Sequence, residues 1–157
     1  MALTARDLMT TQPVSVEAET PLMDVHRLFV EEEIHGAPVV DDELLVQGII
    51  TSADLLRAVM QEHDSGGSSA RYLREMVEFS GPDWQHMPED FQDRLEQLRV
   101  EDFMTKDVVA VSADATVSEI ARAMRTNHVH RVLVVEGKRL VGLISALDLV
   151  GALEKEA

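Results

Sequence analysis

The sequence contains itself twice, and that repetition limits its folds more than any other feature. Asp7-Leu8-Met9-Thr10 returns as Asp102-Phe103-Met104-Thr105, 95 residues later. Val14-Ser15-Val16 returns as Val109-Ala110-Val111, and Val39-Val40 as Val134-Val135, at the same spacing. Gly48-Ile49-Ile50-Thr51-Ser52-Ala53-Asp54-Leu55 returns as Gly142-Leu143-Ile144-Ser145-Ala146-Leu147-Asp148-Leu149, now 94 residues later. One residue is lost between Val135 and Gly142, where turn residues sit. Two copies are too few for a solenoid, which needs about three. A pseudo-symmetric pair, each half burying its apolar face against the other, is the simpler expectation.

Each copy carries the same series of signals. A short N-terminal turn leads into an extended piece, Val14–Val16 or Val108–Val111. A helix follows. In copy one Thr20 before Pro21 marks its start, with Leu22, Val25, Leu28 and Phe29 on one face. In copy two Thr116-Val117-Ser118-Glu119 is a capping box, and Val117, Ile120, Ala121 and Met124 form the apolar stripe. Two short β-branched runs joined by a polar turn then read as a hairpin: Ala37–Val40 and Leu44–Ile50 in copy one, Val132–Val135 and Arg139–Ile144 in copy two. A last helix begins at Thr51 or Ser145. The expected fold class is α+β, as two strand-helix-strand-strand-helix repeats. We place repeat one at 1–58, a helical insert at 59–100 and repeat two at 101–157.

The insert has no counterpart in the repeats. Asp64-Ser65-Gly66-Gly67-Ser68-Ser69 has the composition of a flexible loop. Helices are expected near 70–79, stopped by Gly81-Pro82, and near 88–100, with Phe91, Leu95 and Leu98 on one face. Four of the chain's six aromatic residues lie here: Tyr72, Phe79, Trp84 and Phe91. A tether would not concentrate the largest apolar side chains, so the insert is expected to be ordered and to dock, on the module's surface or across a dimer interface.

Charge bounds the partners. With 14 Lys and Arg against 29 Asp and Glu, the formal net charge is −15. Non-specific nucleic-acid affinity needs many cations displacing counterions from phosphates, so no nucleic-acid partner is expected. An anionic membrane surface is disfavoured for the same reason, and no apolar run reaches the ~20 residues of a span. There is no cysteine, hence no disulfide framework and no thiolate chemistry. A cytoplasmic protein is expected. Half of the basic residues fall in 101–157, so a local anion site remains compatible with the bulk charge. No phosphate loop, nucleophile elbow or zinc-protease helix appears, and no nucleophile has a plausible base. We therefore expect no enzyme activity. His35, His128 and His130 have no carboxylate or cysteine at a recognised ligand spacing, so no metal site is assigned. The acidic runs Glu31-Glu32-Glu33 and Asp41-Asp42-Glu43 read as solvated surface.

The ordered set of Met-Thr, a Val-rich strand, a helix, a Val-Val strand and a Gly-Ile/Leu-Ile-Thr/Ser-x-x-Asp junction, present twice, resembles the CBS (cystathionine-β-synthase-type) domain in tandem. It covers about residues 7–58 and 102–152. The resemblance implies two repeats packed sheet to sheet, two clefts at their interface that take adenosine-containing ligands such as AMP, ADP or ATP, and pairing into disc-like homodimers. It implies regulation of some effector protein, with no cofactor required beyond the nucleotide (and Mg²⁺ if that is ATP).

The candidate ligand residues each have a second, structural reading. Thr51 with Asp54, and Ser145 with Asp148, have the spacing of a helix capping box. The same geometry offers a phosphate free N–H groups and partial positive charge, and offers ribose hydroxyls a carboxylate. The resemblance assigns these hydroxyls and carboxylates those two contacts. It directs His130-Arg131 toward phosphates; Arg131 suits the task because its planar fork donates two parallel bonds. Copy one has His35 but Gly36 in place of the arginine, which weakens the case for two equivalent sites. The resemblance sets the base beside Val14, Val109 and Ala110 and beside Ala37, all of which also suit a core. Thr105 reads equally as a cap. The rival reading is a structural or protein-interaction module whose clefts are vestigial or hold another adenosyl ligand.

Overall fold

The computed structural model describes residues 2–62 and 89–156. The expectations for the loop at 64–69, the helix near 70–79 and Tyr72, Phe79 and Trp84 lie outside the described residues. The elements run α1 (Ala5–Leu8), β1 (Thr10–Thr11), α2 (Leu22–Glu32), β2 (Gly36–Val40), β3 (Val46–Thr51), α3 (Ser52–Glu62), α4 (Glu89–Gln97), a 3₁₀ turn (Val100–Asp102), β4 (Ala110–Ser112), α5 (Val117–Asn127), β5 (Arg131–Glu136), β6 (Arg139–Ser145) and α6 (Ala146–Glu156). The α+β class and the duplicated strand-helix-strand-strand-helix pattern are both present.

The chain divides into two compact units that exchange their leading segments. One holds residues 1–14, 40–46 and 107–157; the other holds 15–39 and 47–106. The lead-in to copy one therefore belongs to the unit built by copy two, and the reverse. The hydrogen bonds obey the 95-residue repeat. Ala5 N–H donates to the Ala115 carbonyl at 2.9 Å and Arg6 N–H to Ala113 at 3.0 Å; Val100 N–H donates to Thr20 at 3.0 Å and Glu101 N–H to Ala18 at 2.9 Å. Ala5 and Val100 are both fully buried. These bonds give the first N–H groups of each lead-in turn partners that its own helix cannot provide.

The unit of copy two carries a four-stranded sheet in the order β1-β6-β5-β4. β1 runs antiparallel to β6, β5 antiparallel to β6, and β4 parallel to β5. In the unit of copy one, among the described residues, only β2 and β3 pair as strands. Their flanks shrink to single bridges, Ile49 with Thr105 and Val16 with Val39. The extended piece expected at Val14–Val16 is thus one bridge and no strand. Pro38 supplies the reason. In copy two Leu133 N–H donates to the Val109 carbonyl at 3.0 Å. Pro38 stands at the equivalent place and has no N–H to donate, so the ladder stops after Val16 N–H bonds the Pro38 carbonyl.

The helices follow their patterns with one difference. Thr116 and Glu119 form the expected capping box, with bonds of 3.1 and 3.2 Å. Thr20 does not cap α2: its hydroxyl accepts from Glu17 N–H in the preceding turn, while Leu22 N–H finds the Leu98 carbonyl at 2.9 Å. Both α2 and α5 end on a left-handed residue, Glu33 and His128, each at φ 55. The lost residue lies in the hairpin turns. β5 and β6 join through Gly137-Lys138, with Gly137 at φ 65, the conformation glycine adopts without strain. The longer turn of copy one is held by Asp41, whose Oδ1 accepts from Glu43 N–H at 2.8 Å and Leu45 N–H at 3.0 Å.

Each unit has an apolar core. Leu22, Val25, Phe29, Val39, Ile50, Leu55, Leu95 and Val100 are among the residues of that in the unit of copy one; Ala5, Ile120, Met124, Val132, Val134 and Ile144 are among those in the unit of copy two, which also holds a smaller cluster of Val40, Leu133 and Leu140. No helix among the described residues is long and apolar enough to cross a membrane.

Gly48 and Gly142 sit where the exchanged segments cross. A Cβ on Gly48 would lie 2.6 Å from the Thr105 carbonyl oxygen, whereas one on Gly142 would meet the side chain of Met9. Backbone cannot move aside as a thioether can. Gly48→Ala is therefore expected to cost about 1–3 kcal/mol and Gly142→Ala less. Urea unfolding of the two variants checks the order; a larger loss at Gly142 would contradict it.

Candidate functional site

Each repeat builds the same junction where its hairpin enters its last helix. In copy two, Ser145 ends β6 and Asp148 lies in the first turn of α6. Ser145 N–H and its hydroxyl donate to Asp148 Oδ2 at 2.8 and 3.1 Å, and Asp148 N–H donates back to Ser145 Oγ at 3.3 Å. In copy one the Thr51 N–H, Thr51 hydroxyl and Asp54 N–H repeat the three bonds at the same distances. The capping reading of both motifs therefore holds. It uses one carboxylate oxygen and leaves the other for a second partner.

The neighbouring strand starts beside each cap. Ala146 N–H donates to the His130 carbonyl at 2.8 Å, and Arg131 pairs with Ser145 in the β5–β6 ladder. Ser52 N–H donates to the His35 carbonyl at 2.8 Å. Gly36 lies against Thr51: a Cβ there would meet Thr51 Cγ2 at 3.4 Å. His35, His130 and Arg131 are exposed. Copy two thus places an exposed arginine opposite Ser145 in the ladder, and copy one has Gly36 at the equivalent position.

The other candidates divide between the units. Val109, half-buried, gives its carbonyl to Leu133; Ala110, in β4, is exposed and pairs with Leu133; Val14 is half-buried. These three share a unit with Ser145, Asp148, His130 and Arg131. Ala37 is buried within β2, and Thr105 is exposed and bridged to Ile49; both share a unit with Thr51, Asp54 and His35.

One residue at this site escaped the sequence reading. Arg57, one turn beyond Asp54 on α3, donates through Nη2 to Asp54 Oδ1 at 2.6 Å and to the Phe103 carbonyl at 2.9 Å. Its signal was available in the internal alignment, where Arg57 falls opposite Gly151. Asp148 Oδ1 has no hydrogen-bond partner among the described residues. Among the described residues there is also no group of three or more His, Cys, Asp or Glu placed to hold a metal ion.

Comparison with known proteins agrees with the duplicated junction. The family model for the CBS domain matches residues 5–61 and again 100–155. The chain belongs to the CBS domain family, as a tandem pair. CBS domains are characteristically regulatory modules without catalysis of their own. The pair is similar to the protein MJ1426 of Methanocaldococcus jannaschii, at 28% identity over 94% of this chain and 89% of that one. It shares its fold with CBSX2, solved in complex with AMP, at TM-score 0.70 and 23% identity over 98% of each chain. The CBS domain pair of MJ0100, solved in complex with 5′-methylthioadenosine and S-adenosyl-L-methionine, matches at TM-score 0.69 and 19% identity over 100% of each chain.

Proposed function

We propose that this CBS pair is a ligand-sensing module that binds an adenine nucleotide at the junction of strand and helix. One observation carries the reading: a helix N-terminus whose capping carboxylate, Asp148, keeps one oxygen free, beside the exposed Arg131. The positive end of a helix, a hydroxyl and a guanidinium suit phosphate; a carboxylate oxygen suits ribose hydroxyls. That CBSX2 is solved with AMP, and the MJ0100 pair with two adenosyl compounds, supports this ligand class. Mg²⁺ would enter only as the counter-ion of ATP.

The mechanism is linkage. A ligand that binds one arrangement of the module more tightly than another shifts the population by that difference, typically ~1–3 kcal/mol. Micromolar binding supplies about 8 kcal/mol from which to draw it. The response would pass to an effector protein, with the module working as a homodimer. Exposed Leu147, Val150 and Leu153 on α6 offer apolar surface for the homodimer contact, and light scattering of Val150→Glu beside the parent chain tests it. Isothermal calorimetry of nucleotide-free protein with AMP, ADP, ATP and S-adenosyl-L-methionine is expected to give a dissociation constant in the micromolar range for at least one. Heats of dilution alone for all four would sink the proposal.

A further inference from the structure

The two junctions are duplicates in sequence but differ in what already occupies them. Their capping bonds match to the distance, so the difference lies in the second carboxylate oxygen. In copy one Arg57 takes it. The Asp54 side chain is 5% exposed and the Arg57 side chain 49% exposed, so the half-exposed guanidinium accompanies a carboxylate that water barely reaches. The Phe103 carbonyl holds the same Nη2 from another direction. In copy two Gly151 replaces Arg57, and the space where its Cβ would stand is open to 4 Å. Asp148 is half-buried, with Oδ1 unclaimed among the described residues.

From these contacts we infer that Arg57 is an internal plug. It closes the junction of copy one to a ribose diol, so that the chain binds one nucleotide, at Asp148. The inference rests on the nucleotide reading above and deepens it. A ribose diol recognised by a carboxylate needs an oxygen free to accept, and it delivers no charge. Arg57 delivers a full positive charge to a poorly hydrated carboxylate, so its bond carries an ion-pair attraction that a neutral hydroxyl does not supply. A diol arriving at Asp54 must break that bond and replace an ionic partner with a neutral one. At Asp148 it displaces no protein group. The cations agree: Arg131 stands next to the open junction, and Gly36 offers none to the plugged one.

The test is calorimetric stoichiometry with AMP on four forms of the full chain. The parent is expected to bind one AMP per chain and Asp148→Asn to lose that binding at least ten-fold. Arg57→Ala is expected to gain a second equivalent, and Arg57→Ala with Asp54→Asn to return to one. Two equivalents on the parent, or full binding by Asp148→Asn, overturns the assignment. An Arg57→Ala chain that stays at one equivalent, or binds more weakly, overturns the plug. If Arg57→Ala does not fold, the parent and Asp148→Asn still decide which junction binds. A parent that binds no adenosyl ligand instead sinks the nucleotide reading itself, an outcome distinct from two equivalents.

Discussion

Leu95→Ala is expected to destabilise the unit of copy one by about 2–5 kcal/mol, although Leu95 lies outside both repeats in the sequence. The side chain is fully buried and belongs to the same core as Leu22, Phe29 and Leu55. Deleting it removes buried methyl groups and leaves a cavity that α2 and α3, both packed on α4, cannot fully close. The following backbone is tied down as well, since Leu98 caps α2 through its carbonyl and Arg99 bridges to Pro21. For a chain of this length, each kcal/mol moves the melting temperature by roughly 2–4 °C. Differential scanning calorimetry of Leu95→Ala beside Gln97→Ala, an exposed change on the same helix, measures the contrast. Equal melting temperatures would show that α4 is not part of the core. The insert was expected to dock on the module's surface or across a dimer interface. Its final helix docks on α2 and α3, and Leu95 reaches from it into their core.

Acid should destabilise the same unit through His26. The residue lies on the buried side of α2, and burial, with the nearby charge of Arg27, lowers its pKa from 6.5 to about 4. The unfolded chain binds this proton below pH 6.5, while the folded chain does so only below about 4. Between those values the unfolded state holds more protons, so stability falls as pH falls; above 6.5 the contribution is flat. The full separation corresponds to about 3 kcal/mol. Carboxylates titrate in the same window, so the parent's slope alone does not isolate the histidine. The difference between the parent and His26→Leu does. Urea unfolding from pH 7.5 to 4 is expected to show the parent losing about 3 kcal/mol more than the variant. Parallel curves would place the His26 pKa near its ordinary value.

The junctions were legible because a capping box is a local device. Thr51 with Asp54, and Ser145 with Asp148, need only three-residue spacing and a helix start to meet. Arg57 was harder to see. One turn from Asp54 on a helix it reads as an ordinary surface cation, and its joint hold on Asp54 and on the distant Phe103 carbonyl is visible only in the fold. The missing strand at Val14–Val16 was hidden differently. Its own residues favour extension, but Pro38, on another strand, withholds the N–H that would lengthen the ladder.

By itself the sequence determined the duplication, the α+β class, the helices with their apolar faces, and the family. All of these follow from short-range periodicity and from a pattern long enough to occur twice. Tertiary structure decided which segment completes which unit. The lead-in Ala5–Thr11 carries the same signals as Val100–Thr105, and nothing in either says that it closes the core of the other copy. Tertiary structure also decided that two like junctions differ, because a carboxylate's availability depends on what the folded chain brings to its second oxygen. Backbone hydrogen bonds between residues far apart in the chain settle the first matter, and no local pattern encodes such pairings; the side-chain bonds of Arg57 to Asp54 and to the Phe103 carbonyl settle the second.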